Sequence, residues 1–109
     1  MQAVLENPKI TVIHLQGFLN ATNALEIERD LTTALVQDGV STLLVDLAAV
    51  ESLDSSGLMA LVSALKVAQS LGKSFKLYSV SPSIRIIFEL TQLDEVFDLF
   101  EQKVELLIK

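Results

Sequence analysis

The chain has 109 residues, of which half are apolar and a fifth charged, and its 14 acidic and 8 basic side chains give a formal net charge of -6. This is one domain's length with a folding composition, and its acidic balance argues against the phosphate-neutralising surface that nucleic-acid binding requires. The absence of cysteine removes disulfides, thiolate metal sites and a cysteine nucleophile, and with no basic leader or membrane-length apolar run the expectation is a cytoplasmic protein without membrane insertion.

Ala3 to Glu6 reads as a short strand, broken at Asn7-Pro8 because Pro8 has no N–H to give a ladder. Ile10 to Leu15 sets Ile10, Val12 and His14 against Thr11, Ile13 and Leu15 and is rich in β-branched residues, so it reads as a second strand, able to form a hairpin with the first. Gly17 ends it. Asn20 to Asn23 offers helix caps, with Asn23 and Glu26 at capping-box spacing. Ala24, Ile27, Leu31, Ala34 and Leu35 then form a helical stripe, with Gly39 as its expected C-terminal cap.

Thr42 to Leu47 is almost continuously apolar, interrupted by Asp46, as expected of a central strand covered on both faces. The polar cluster Asp54-Ser55-Ser56-Gly57 follows. Leu58, Leu61, Val62, Leu65, Ala68 and Leu71 then keep helical spacing until Gly72-Lys73 stops the run. Ser74 to Val80 reads as a strand, and Ser81 with Pro82 opens a helix carrying Ile84, Ile87 and Phe88. The tail holds an apolar patch near Val96-Phe97 and an amphipathic helix expected from about Asp98, where Asp98 and Glu101 have capping-box spacing.

The order of elements predicts a small α/β domain with helices covering a mixed sheet. Within it, Asp54, Ser55 and Ser56 fall where a buried strand turns into a helix. The unpaired N–H groups and partial positive charge there tolerate a negative group. On residue types alone these three side chains could simply cap the helix. Gly57 serves either a close backbone approach or plain packing. Catalysis finds no support. His14 is a lone strand histidine, no convergent ligand cluster suggests a metal, and the loop lacks the glycine two residues before a hydrolase nucleophile. No phosphate-cradling glycine loop or other cofactor motif occurs.

Leu44-Val45-Asp46-Leu47, Val50, Leu53-Asp54-Ser55-Ser56-Gly57-Leu58, the Gly72-Lys73 break and Ser81-Pro82 before an Ile84 to Leu90 helix together resemble the STAS domain. They look most like the stand-alone bacterial anti-sigma-factor antagonists. The likeness spans nearly the whole chain and includes Gly17-Phe18-Leu19-Asn20, where the family usually ends in aspartate. It implies a STAS-like single domain over residues 1–109, with a mixed four- to five-stranded sheet and about four helices. It also implies that Ser55 is phosphorylated by an anti-sigma factor serine kinase and dephosphorylated by a PP2C-type serine phosphatase, with Asp54, Ser56, Gly57 and Asn20 supporting the loop. The unphosphorylated form would bind the anti-sigma factor. The alternative is an unphosphorylated STAS interaction subunit of a transporter or signalling assembly.

One further expectation comes from the helix after the loop. The face opposite its apolar stripe carries Met59, Ala60, Ser63, Ala64 and Val67, less charge than a solvated face usually holds. Met59, Ser63 and Val67 are therefore candidates for partner binding, set against the alternative that this face is covered within the domain.

Overall fold

The computed structural model of the chain describes residues 9–101. Strand β1 (Lys9–Leu19) leads into helix α1 (Ala24–Leu35), strand β2 (Val40–Leu53), helix α2 (Ser55–Leu71), strand β3 (Ser74–Tyr78), helix α3 (Pro82–Leu90), a 3-10 turn at Leu93–Glu95 and strand β4 (Asp98–Phe100). The sheet order is β1-β2-β3-β4 and every pairing is parallel. Each crossover steps to the next strand in the same direction, so crossovers of one hand place all the helices on one face. The buried side chains agree with this. Leu43, Val45, Phe75 and Leu77 on one sheet face share a core with Leu31, Leu61, Ile84 and Phe88 from the three helices. Each such side chain, once fully buried, contributes about 1.5–3 kcal/mol relative to exposure. Phe97 completes this core, 5.2 Å edge-on from Phe88. Leu44, Tyr78 and Phe100 form a separate cluster on the other face.

Parallel strands put all their C-terminal ends at one edge, so all three helices start at that same edge. α2 is the longest helix and the best defined at its ends. Asp54 caps its start, and Gly72, with φ +68°, closes it in a left-handed turn where Lys73 N–H reaches Ala68 C=O at 2.9 Å. The expected Ser81 cap and Pro82 start of α3 are present, with Ile84 N–H donating to Ser81 Oγ.

Several local expectations are corrected. The four described strands are all parallel; the expected strand at Ala3 to Glu6, and with it the hairpin, lies outside the described residues. Asp98 to Phe100 is a strand and not the start of a tail helix, because Leu99 faces the main core and Phe100 the second cluster, an alternation of period two. The rest of that expected helix lies outside the described residues. The Asn23–Glu26 capping box is not made: Asn23 Oδ1 accepts from Asn20 N–H and Asn23 Nδ2 donates to Phe18 C=O. Val36 is the C-cap of α1, and Gly39, with φ +85°, turns the chain into β2. β2 also continues to Leu53, past the point where its pairing with β3 ends at Asp46. Irregularities in the β1–β2 ladder at His14/Gln16 and Gly17/Phe18 put Val50 and Leu53 on the core side three residues apart, which hides the strand's period.

Candidate functional site

The β1–β2 ladder ends with Leu19 opposite Leu53, and the residue that follows β2, Asp54, donates its N–H to Leu19 C=O at 3.0 Å. Asp54 has extended backbone, and its Oδ1 accepts both Ser56 N–H at 2.9 Å and Gly57 N–H at 3.0 Å. Its carbonyl accepts Leu58 N–H at 2.9 Å. One residue therefore ends the strand, starts the helix and fills two of the amides that a helix N-terminus offers to an anion.

Ser55 is the first residue of α2 and is exposed, and its hydroxyl makes no hydrogen bond among the described residues. Ser56 is half-buried and supports the cap through its backbone N–H. Gly57 is buried against the end of β1: a Cβ there would lie 2.7 Å from Leu19 Cβ and 2.8 Å from Leu19 C. The close approach that this glycine allows is thus made by the chain's own β1.

Asn20, immediately after Leu19, is half-buried and spends its polar groups on the turn into α1. Its Oδ1 accepts from Thr22 N–H, its N–H donates to Asn23 Oδ1, and its carbonyl accepts from Asn23 and Ala24 N–H. An aspartate could accept the same bond from Thr22.

On α2, Met59 is 54% exposed, while Ser63 and Val67 are half-buried and Val67 packs on the main core. Ala60 and Ala64, on the same weakly polar face, are buried, because α1 packs along α2. A groove remains between the two helices, with Leu25 and Glu28 of α1 facing Ser56, Met59 and Ser63 of α2. The sequence reading did not pick out Leu25 or Glu28. The available signal was Leu25 itself, an apolar residue outside the helical stripe of α1 and 69% exposed in the fold.

Other polar chemistry lies away from this loop. His14 Nδ1 is 2.7 Å from Asp46 Oδ2, and Asp46 Oδ1 accepts Ala48 N–H at 2.8 Å, so the histidine is oriented by a carboxylate on the second sheet face. In the next strand Tyr78 stands in register with Asp46, and burial, helped by the Asp46 charge, pushes its phenol pKa above the ordinary value. Among the described residues no three His, Cys, Asp or Glu side chains converge as a metal site, and no helix is long and apolar enough to cross a membrane.

Fold and site together define a small α/β domain whose distinctive chemistry is a surface serine at a capped helix start, beside a groove between two helices. The chain belongs to the STAS domain family, whose profile matches residues 2–106. An anti-sigma factor antagonist from Mycobacterium paratuberculosis is 30% identical, with 97% of this chain and 89% of that one covered and a TM-score of 0.76. Two further structures are similar in fold. SpoIIAA, the Bacillus cell fate determinant, in its phosphorylated form, is 22% identical, with 97% and 95% covered and a TM-score of 0.69. A sulfate transporter family protein from Wolinella succinogenes is 14% identical, with 86% and 78% covered and a TM-score of 0.76.

Proposed function

We propose that this protein is an anti-sigma-factor antagonist that acts as a phosphorylation-controlled partner switch, with Ser55 as the phosphate acceptor. The observation that carries this reading is the exposed, unbonded Ser55 hydroxyl on the first residue of α2, held by a rigid cap. The unphosphorylated form binds a kinase-type anti-sigma factor, and a PP2C-type serine phosphatase restores it after phosphorylation. The likeness to antagonists, one of them solved in a phosphorylated form, supports the assignment. The chain supplies binding and a substrate hydroxyl rather than catalysis, needs no cofactor, and works in the cytoplasm without touching nucleic acid.

Phosphorylation adds about -1.5 to -2 charge to a protein whose net charge is already -6. Helix N-terminal amides often cradle such a group. Here the Ser56 and Gly57 amides are already engaged by Asp54, so the phosphate stays on the outer surface and the fold is retained. A kinase brings the γ-phosphate of ATP to the Ser55 hydroxyl, and the product complex then sets phosphoserine against the phosphates of ADP. A like-charge mismatch across an interface costs several kcal/mol, and each 1.4 kcal/mol is about tenfold in affinity. Binding is therefore lost while folding is not.

Incubation with ATP and each serine kinase encoded in the same genome, followed by mass spectrometry of the peptide spanning Ser55, tests this reading. One phosphate on Ser55, absent from Ser55→Ala, is expected; modification of Ser56 alone, or none with any kinase, overturns it. The likeness to the sulfate transporter family protein favours a second reading, a subunit that binds a transporter or signalling assembly with Ser55 acting only as part of the helix start. Stable association with such an assembly, with no phosphate on Ser55, is its signature.

A further inference from the structure

α1 and α2 both start at the C-terminal edge of the sheet and run side by side, leaving between them a groove of about 350 Å³. Ala24 and Ala60 form its floor, and Leu25 and Met59, 69% and 54% exposed, its two walls. Ser56 lies at the end nearest Ser55. Glu28 and Ser63, both half-buried, lie one turn further on. The Glu28 carboxylate has no ion pair or hydrogen bond among the described residues.

We propose that this groove is where the kinase-type partner docks, placing one apolar side chain between Leu25 and Met59 and a lysine or arginine against Glu28. The assignment rests on the partner-switch reading of Ser55 and makes it specific. Two large apolar side chains facing each other across a groove lose water-exposed area together when a third enters. A half-buried carboxylate without a cation gains most from one supplied by a partner, and such a pair fixes the partner's register. That register matters because Met59 is one helical turn, about 5–6 Å, from Ser55. A partner anchored at Leu25, Met59 and Glu28 therefore holds its nucleotide over the Ser55 hydroxyl. Anchor and switch are separate: the cation at Glu28 attracts, while phosphate on Ser55 meets the nucleotide's phosphates. Val67 lies outside this surface because it packs on the domain's own core.

The test uses the serine kinase that phosphorylates Ser55 fastest, loaded with ADP, titrated calorimetrically with the full chain. Charge reversal in Glu28→Lys weakens binding about tenfold or more, and Glu28→Gln weakens it less. Loss of the Glu28→Gln effect at high salt identifies the contact as ionic. Leu25→Ala costs about fivefold or more through lost apolar contact. Ile86→Ser on α3, exposed but not part of the groove lining, binds within about twofold of wild type, as a control outside the docking surface should. Thermal melts show which variants are folded, and Glu28→Gln with its salt dependence decides the matter if Glu28→Lys is not. Binding by both Glu28 variants at wild-type strength, or an equal loss in Ile86→Ser, overturns the groove while leaving Ser55 phosphorylation intact. If no kinase phosphorylates wild-type Ser55, the parent reading fails and the groove assignment falls with it.

Discussion

Leu19 supports Gly57 and Asp54 at once: its carbonyl accepts Asp54 N–H at 3.0 Å, and its backbone lies where a side chain on Gly57 would have to go. The end of β1 thus fixes both the start of α2 and the position of Ser55 between those two contacts.

Replacing Gly57 with alanine should therefore cost stability through crowding. The added methyl meets Leu19 backbone, which cannot swing aside as a flexible side chain would. Overpacking of this kind costs about 1–3 kcal/mol. At Gly72 the reason differs, since nothing lies within 4 Å of a Cβ but φ is +68°. There Asn should be tolerated better than Ala, because Asn visits the left-handed region more readily. At Gly57, Asn should be worse than Ala. Urea unfolding of the four variants checks the crossed order.

Loss of the Asp54 side chain should loosen the helix start without changing the core. Asp54→Ala leaves the Ser56 and Gly57 amides without their acceptor and should cost about 0.5–2 kcal/mol. Asp54→Asn keeps an acceptor oxygen and should cost much less. Hydrogen exchange at Ser56 and Gly57 should quicken only in the alanine variant.

Phosphoserine installed at position 55 during synthesis, without any kinase, should leave the cap in place. The Ser56 and Gly57 amide resonances should move little, and the melting temperature should stay close to that of the unmodified protein. In Asp54→Ala the same phosphate should claim the freed amides, shifting their resonances strongly. Strong shifts with Asp54 intact would show that the phosphate displaces the carboxylate. Ser55→Asp should weaken kinase binding less than authentic phosphate, since it carries less charge and fewer acceptor oxygens.

Tyr78 gives a pH prediction with a direct readout, because it is the chain's sole tyrosine. Burial first, and the Asp46 charge second, raise its folded pKa above the ordinary value for a tyrosine phenol. The unfolded chain then loses this proton at lower pH than the folded one. The stability it contributes is complete below the unfolded pKa, about 10, and is lost as pH rises through the folded value. Tyrosinate absorbance should titrate at higher pH in native protein than in urea. Asp46→Asn should lower the native midpoint only partly, since burial is the larger cause.

The site was partly legible from residue order alone. Asp54, Ser55 and Gly72 could be placed because capping is decided locally, between residues two to five apart. The same holds for Ser81 and Pro82. Asn23 shows the limit of such rules. Its spacing to Glu26 suggested a capping box, but its side chain is committed to Phe18 and Asn20, partners created by the end of β1. Met59 was visible as an apolar residue outside the stripe, whereas Leu25 and Glu28 acquired meaning only when α1 was laid against α2.

By itself the sequence determined the alternation of strands and helices, the ends of α2 and the position of a hydroxyl at its start. Each follows from period and short-range hydrogen bonding. The tertiary structure alone decided that β2 runs on to Leu53, that Asp98 to Phe100 joins the sheet, that Leu19 leaves no room above Gly57, and that a groove opens beside Ser55. Those features depend on parallel pairing and helix packing between residues more than twenty positions apart in the chain. No local pattern records a partner that only the folded chain brings near.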